Sequence, residues 1–125
     1  METDTHTVLC VDDEPGVLIY LEIKLRRLGL NVLCAESWSE ASRCLSSNDI
    51  NMVISDLKLP DMDGDELLSN IAATWPHITR VLMTGSAPYY SEKAVGKQFP
   101  VQHLLSKPWS EEDLAHIVAS MKDSI

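Results

Sequence analysis

The sequence predicts an α/β fold, a doubly wound, five-stranded parallel sheet with helices on both faces. Three observations predict it. Short apolar runs recur at 7–11, 31–35, 51–55, 80–83 and 102–105, and segments with a helical apolar period separate them. The runs are apolar nearly throughout, as in strands buried on both sides. A chain of 125 residues, 45% hydrophobic and 23% charged, can bury a real core and has the size of one domain, 1–125.

Each element follows in order. The run 7–11 ends in Asp12-Asp13-Glu14. Pro15 suits the first turn of a helix whose Leu18, Leu21, Leu25 and Leu28 share one face, with Gly29 as its cap. The second strand ends in Ala35-Glu36, and Ser37-Trp38-Ser39-Glu40 is a capping box opening the next helix. The third strand delivers Asp56, and Leu68, Ile71, Ala72 and Trp75 form the inner face of a third helix. The fourth strand leads to Thr84-Gly85-Ser86, and residues 88–97, with Gly96 near their end, form a weaker helix. The fifth leads to Lys107-Pro108. A second capping box, Ser110 to Asp113, opens a last helix with Leu114, Ile117, Val118 and Met121 inward. Pattern alone does not fix the strand order.

Composition narrows the function. With 19 Asp plus Glu against 10 Lys plus Arg, the formal net charge is −9. That argues against direct nucleic acid binding and against an anionic membrane surface, both of which need clustered Lys and Arg. Acidity can serve a metal cation, a basic partner or solubility. The first residues lack the basic and apolar blocks of a leader, and the longest apolar stretch, 17–21, is far too short for a span, so the expected address is cytoplasmic. Cys10, Cys34 and Cys44 form no CxxC and are expected as reduced core filling. His6, His77, His103 and His116 sit on separate elements without ligand spacing.

In open α/β sheets, ligands sit beyond the carboxyl ends of the strands. There the chain places Asp12, Asp13, Asp56, Thr84 and Lys107. Singly, each has an ordinary reading as turn acid, capping hydroxyl or solvated lysine. Carboxylates gathered at one rim, however, repel unless a cation joins them or a pKa rises. Three aspartates suit Mg²⁺, which prefers oxygen ligands, and a hydroxyl and a lysine facing them suit phosphoryl oxygens.

Val11-Asp12-Asp13-Glu14-Pro15, Ser55-Asp56-Leu57-Lys58-Leu59-Pro60-Asp61-Met62-Asp63-Gly64, Met83-Thr84-Gly85 and Ser106-Lys107-Pro108 occur in this order on the strand ends. With them the chain resembles, over nearly its whole length, the receiver domain of two-component response regulators. The resemblance implies a flavodoxin-like sandwich with strand order 2-1-3-4-5. It implies Asp56 as acceptor of a phosphoryl group from a histidine kinase or phosphotransfer protein. Mg²⁺, or Mn²⁺ in its place, would be held by Asp13, Asp56 and the Lys58 carbonyl, with Asp12 acting largely through water. Lys107 would be the counter-charge, Thr84 a phosphate donor with Gly85 leaving it space, and Pro108 a cis-peptide or turn candidate. Such a domain assists its own phosphorylation and dephosphorylation and is not an enzyme in the turnover sense. Signalling would pass through the face from strand 4 to the last helix, to an output domain of HD-GYP or similar type or to a homodimer.

Several residues qualify this picture. Leu104 stands where receivers place Tyr or Phe, which puts switching by an aromatic flip in question. Lys58 and Ser86 occupy positions where families vary phosphoryl lifetime. Pro60 and Gly64 read as backbone devices. Asp61, Asp63, Asp65 and Glu66 imitate a calcium loop, but Leu59 and Asn70 stand where acids are needed, so a solvated helix start is the better reading. Tyr89, Tyr90 and Trp109 border the signalling face, as packing or as a partner surface. Three rivals remain: a scaffold receiver that takes no phosphoryl group, a Mg²⁺-dependent phosphohydrolase of haloacid dehalogenase type, and a flavodoxin. The phosphohydrolase needs Asp-x-Asp after strand 1, and three acids there would repel a flavin phosphate.

Overall fold

The computed structural model describes residues 6–85, 101–107 and 109–123. The helix expected at 88–97, Ser86, Tyr89, Tyr90 and Pro108 lie outside these residues. The elements are β1 (Thr7–Val11), α1 (Pro15–Arg27), β2 (Asn31–Ala35), α2 (Trp38–Ser47), β3 (Met52–Asp56), α3 (Gly64–Thr74), β4 (Thr79–Thr84), β5 (His103–Ser106) and α4 (Glu111–Asp123). All pairings between the strands of the sheet are parallel and the order is β2-β1-β3-β4-β5.

The period of two along the strands divides the interior into two cores. Val8, Cys10, Met52, Ile54, Val81, Met83 and Leu105 face α1 and α4. Leu9, Val11, Val53 and Leu82 face α2 and α3. Leu21 on α1 and Ile71 on α3 are fully buried, each burial contributing about 1.5–3 kcal/mol.

Helix ends follow their sequence signals. Pro15 opens α1, and Gly29 takes a φ of 88° after it. Ser37 Oγ accepts the Glu40 N–H at 3.2 Å, while Glu40 Oε1 accepts the N–H of Glu36 at 2.9 Å. The box at α4 is reciprocal: Asp113 N–H donates to Ser110 Oγ at 3.1 Å and Ser110 N–H to Asp113 Oδ2 at 3.0 Å.

Some expectations need correction. Strand 3 runs one residue later than its apolar run, because Asn51 is used as a bracket to β1 and Asp56 pairs in register with Met83. Strand 4 extends to Thr79 and Thr84, and strand 5 runs from His103 to Ser106. Cys34 is exposed, whereas Cys10 is buried and Cys44, half-buried, packs against the α2 and α3 core. Cys34 lies on β2, an edge strand with one neighbour, and its apolar setting in sequence does not report that position.

Candidate functional site

The alternation that fills the α1-side core also builds the site. Asp12 continues the row of Val8 and Cys10, Asp56 the row of Met52 and Ile54, and Lys107 the row of Leu105. Each row therefore ends in a charged group at the carboxyl rim. Asp12, Asp13 and Asp56 bring carboxylate oxygens within 4.8 Å of one another, the one such acidic, His or Cys cluster among the described residues.

The electrostatics are unbalanced. Asp12 is fully buried; its Oδ1 accepts the Glu14 N–H at 2.9 Å, but its Oδ2 has no hydrogen-bond partner. Burial, and then the nearby Asp56 carboxylate, push its pKa up to about 6 despite that bond. The Lys107 ammonium meets Asp56 Oδ1 at 2.9 Å, with the two side chains 32% and 13% exposed. Burial alone would lower the Lys107 pKa, but the bond to Asp56 and the charges of Asp12 and Glu14 raise it overall. Asp13 is exposed and completes the open side. A buried, unpartnered carboxylate oxygen beside two further carboxylates fits a hard divalent cation.

Backbone geometry fixes the end of β3 at Asp56. Gly64 opens α3 directly against Asp56, and its N–H donates to the Leu57 carbonyl at 2.7 Å. A Cβ at Gly64 would collide with the Asp56 carbonyl oxygen. The glycine is required by this close approach, not by a left-handed φ. Lys58 bridges to Asp63 in an isolated antiparallel pair, its exposed ammonium 3.8 Å from the Asp63 carboxylate.

Thr84 is the buried last residue of β4, in the row of Leu82, and its carbonyl accepts the Lys107 N–H at 3.1 Å. Gly85, exposed, has nothing within 4 Å of a Cβ built on it. Leu104 pairs in register with Leu82 and packs half-buried against the α2 and α3 core.

One acid differs from expectation, and one aromatic takes one of its two expected readings. Asp61 does not attend the start of α3; its carboxylate accepts the N–H groups of Trp38 at 2.9 Å and Ser39 at 3.1 Å, capping α2. Trp109 takes the packing reading: it lies on Tyr20 of α1, ring centroids 5.4 Å apart, and against the core beneath α1 and α4. Tyr20, with Ile19 and Ile23, forms an exposed apolar strip on α1. A helical period with two faces gave no sign of that strip.

Comparison with known proteins places this geometry in context. The chain is 35% identical over 109 residues to the transcriptional regulatory protein GlrR of Escherichia coli, which covers 86% of this chain but 24% of that protein. It is 32% identical over 118 residues to the transcriptional regulatory protein KdpE of Mycobacterium tuberculosis, covering 92% of this chain and 50% of the relative. The chain thus spans half or less of these relatives. Among solved structures, the signal receiver domain of an HD domain-containing protein from Pseudomonas fluorescens superposes with a TM-score of 0.87 at 30% identity, covering 97% of both chains. No described helix is long and apolar enough to cross a membrane. The family model for the response regulator receiver domain matches residues 8–119, and the chain belongs to that family.

Proposed function

We propose that this domain accepts a phosphoryl group on Asp56 from a histidine kinase or phosphotransfer protein. The observation that carries the reading is the contact of Lys107 with Asp56 inside a carboxylate cluster that leaves one buried oxygen of Asp12 unpartnered. In the transfer, an Asp56 oxygen forms the new P–O bond as the donor's P–N bond breaks, and the donor imidazole keeps that electron pair. Lys107 then shifts its ammonium between carboxylate and phosphoryl oxygens as a point charge. Thr84 reaches a phosphoryl oxygen by moving across the strand end, and Gly85 adds no side chain beside it.

Asp12, Asp13, Asp56 and the Lys58 carbonyl would hold Mg²⁺, or Mn²⁺ in its place. When bound, that ion supplies charge neutralisation for the phosphoryl oxygens. The new charge at the rim biases β4, β5 and α4 between two arrangements, with Leu104 as a packing switch rather than an aromatic one. The receiver of an HD domain-containing protein supports an output domain of that class, and a homodimer through the same face is the alternative.

The test is direct. Incubation with Mg²⁺ and acetyl phosphate is expected to add one phosphoryl mass to the wild type and none to Asp56→Asn. No adduct on wild type, or equal adducts on both, overturns the reading.

A further inference from the structure

The loop that brings Lys107 to Asp56 is fastened to α1. Two residues beyond the lysine, Trp109 packs on Tyr20 and against the core beneath α1 and α4. One turn along α1, the Lys24 ammonium lies 5.1 Å from the centre of the same Tyr20 ring. It pairs at 2.6 Å with Glu111, the first residue of α4, and its side chain is only 14% exposed. On its other side, the Lys107 N–H is held by the Thr84 carbonyl. The loop is therefore clamped both before and after the lysine side chain must reach out.

Lys107, Trp109 and Tyr20, with Glu14, line one groove of about 480 Å³ along α1. The lysine stem has space on this side, and the two rings are its wall. A long, flexible lysine loses rotamer freedom when its ammonium is fixed, and a wall that removes alternative rotamers reduces that loss.

We infer that Trp109, braced by Tyr20, is a positioning residue that keeps the Lys107 ammonium on Asp56. The inference deepens the phosphoacceptor reading and rests on it for its effect on transfer. The contact itself exists in the resting site. An ammonium withdrawn from Asp56 takes positive charge away from phosphoryl transfer. It also leaves the carboxylate freer to bind a divalent cation. The two effects run in opposite directions, whereas general loosening of the rim weakens both.

The experiment uses the full chain as wild type, Trp109→Ala, Trp109→Phe, Tyr20→Ala and Asp56→Asn. Phosphoryl uptake from acetyl phosphate is followed by mass, and Mg²⁺ affinity by titration of amide resonances. Trp109→Ala is expected to slow uptake about tenfold while binding Mg²⁺ about twofold more tightly, and Trp109→Phe to restore both. Tyr20→Ala moves both readouts in the same directions and serves if Trp109→Ala does not fold. Wild-type uptake in the alanine variants, a joint fall of uptake and Mg²⁺ affinity, or no rescue by Phe overturns the inference. If the wild type binds Mg²⁺ but takes no phosphoryl group, the phosphoacceptor reading fails. The clamp is then judged by Mg²⁺ affinity alone: tighter binding in Trp109→Ala upholds it, and unchanged or weaker binding overturns it.

Discussion

The two ends of the sheet are built on opposite principles. At the amino ends of the strands, polar groups satisfy one another. Asn51 Oδ1 accepts the Thr7 N–H at 2.8 Å, and the Asn51 N–H donates to the Thr7 carbonyl at 2.9 Å. The Arg80 N–H donates to Gln102 Oε1 at 2.8 Å, while the Arg80 guanidinium donates to the carbonyls of Pro76 and Ile78. At the carboxyl ends, three carboxylates crowd together and one buried oxygen is unpartnered. At the first end the chain supplies its own partners; at the second it leaves a buried carboxylate oxygen of Asp12 without one. A folded chain tolerates that imbalance only where other interactions hold the backbone in place.

The largest expected effect tests that backbone support. Gly64→Ala would force a Cβ onto the Asp56 carbonyl, so either α3 or the end of β3 must move. A loss of about 3 kcal/mol in urea unfolding is expected, with phosphoryl uptake impaired as well. Unchanged stability would mean that the carboxyl end is not held by this contact.

Next, Asp12→Asn removes the buried charge and keeps the shape. With its folded pKa near 6 and its ordinary value near 3.8, Asp12 binds a proton more tightly in the folded state. Its contribution is fully present below the unfolded value and is lost as pH rises through about 6. That places a penalty of about 3 kcal/mol on the metal-free wild type at neutral pH. Asp12→Asn should therefore be more stable than wild type at pH 7 without metal, and the difference should vanish towards pH 4. Added Mg²⁺ is expected to stabilise the wild type, and the variant to lose most of that gain. Equal melting temperatures across that range would break the comparison.

The comparison also explains what was legible in the sequence. Asp12, Asp56 and Lys107 stood out because each ends a short apolar run, and strand alternation then carries the row from core to rim. Thr84 stood out for the same reason. Cys34 did not read as exposed, because its exposure depends on β2 lying at the edge, and pattern does not fix strand order. Gly64 read as a backbone device, but the surface it approaches, the Asp56 carbonyl, is set by how α3 returns to β3. The brace of Trp109 on Tyr20 joins residues far apart in the chain, and neither has a local signal for it.

A smaller effect belongs to the satisfied end. Asn51→Ala leaves the Thr7 N–H without its side-chain acceptor, and a loss of about 1–2 kcal/mol is expected from thermal or urea unfolding. Phosphoryl uptake should keep its wild-type rate. A slowed rate would show that the two ends are mechanically coupled, and the division between them would need redrawing.

The smallest effect sits on the boundary between stability and function. Asp61 lies in the loop after Asp56, yet its carboxylate caps α2. The Trp38 N–H bond, aided by that from Ser39, holds its pKa below the usual carboxylate value despite some desolvation. A depressed pKa stabilises the fold above the unfolded value near 3.8, and that stability is lost as pH falls through the lower folded value. Asp61→Asn keeps one acceptor oxygen and loses the charge; Asp61→Ala loses both. A slight fall in melting temperature is expected, larger for Ala, and the acid-side loss should disappear in both. Because the carboxylate is exposed, salt should shrink the effect. If uptake falls further than stability in these variants, the cap is also what holds the loop carrying Lys58 in register, and Asp61 then belongs with the functional rim.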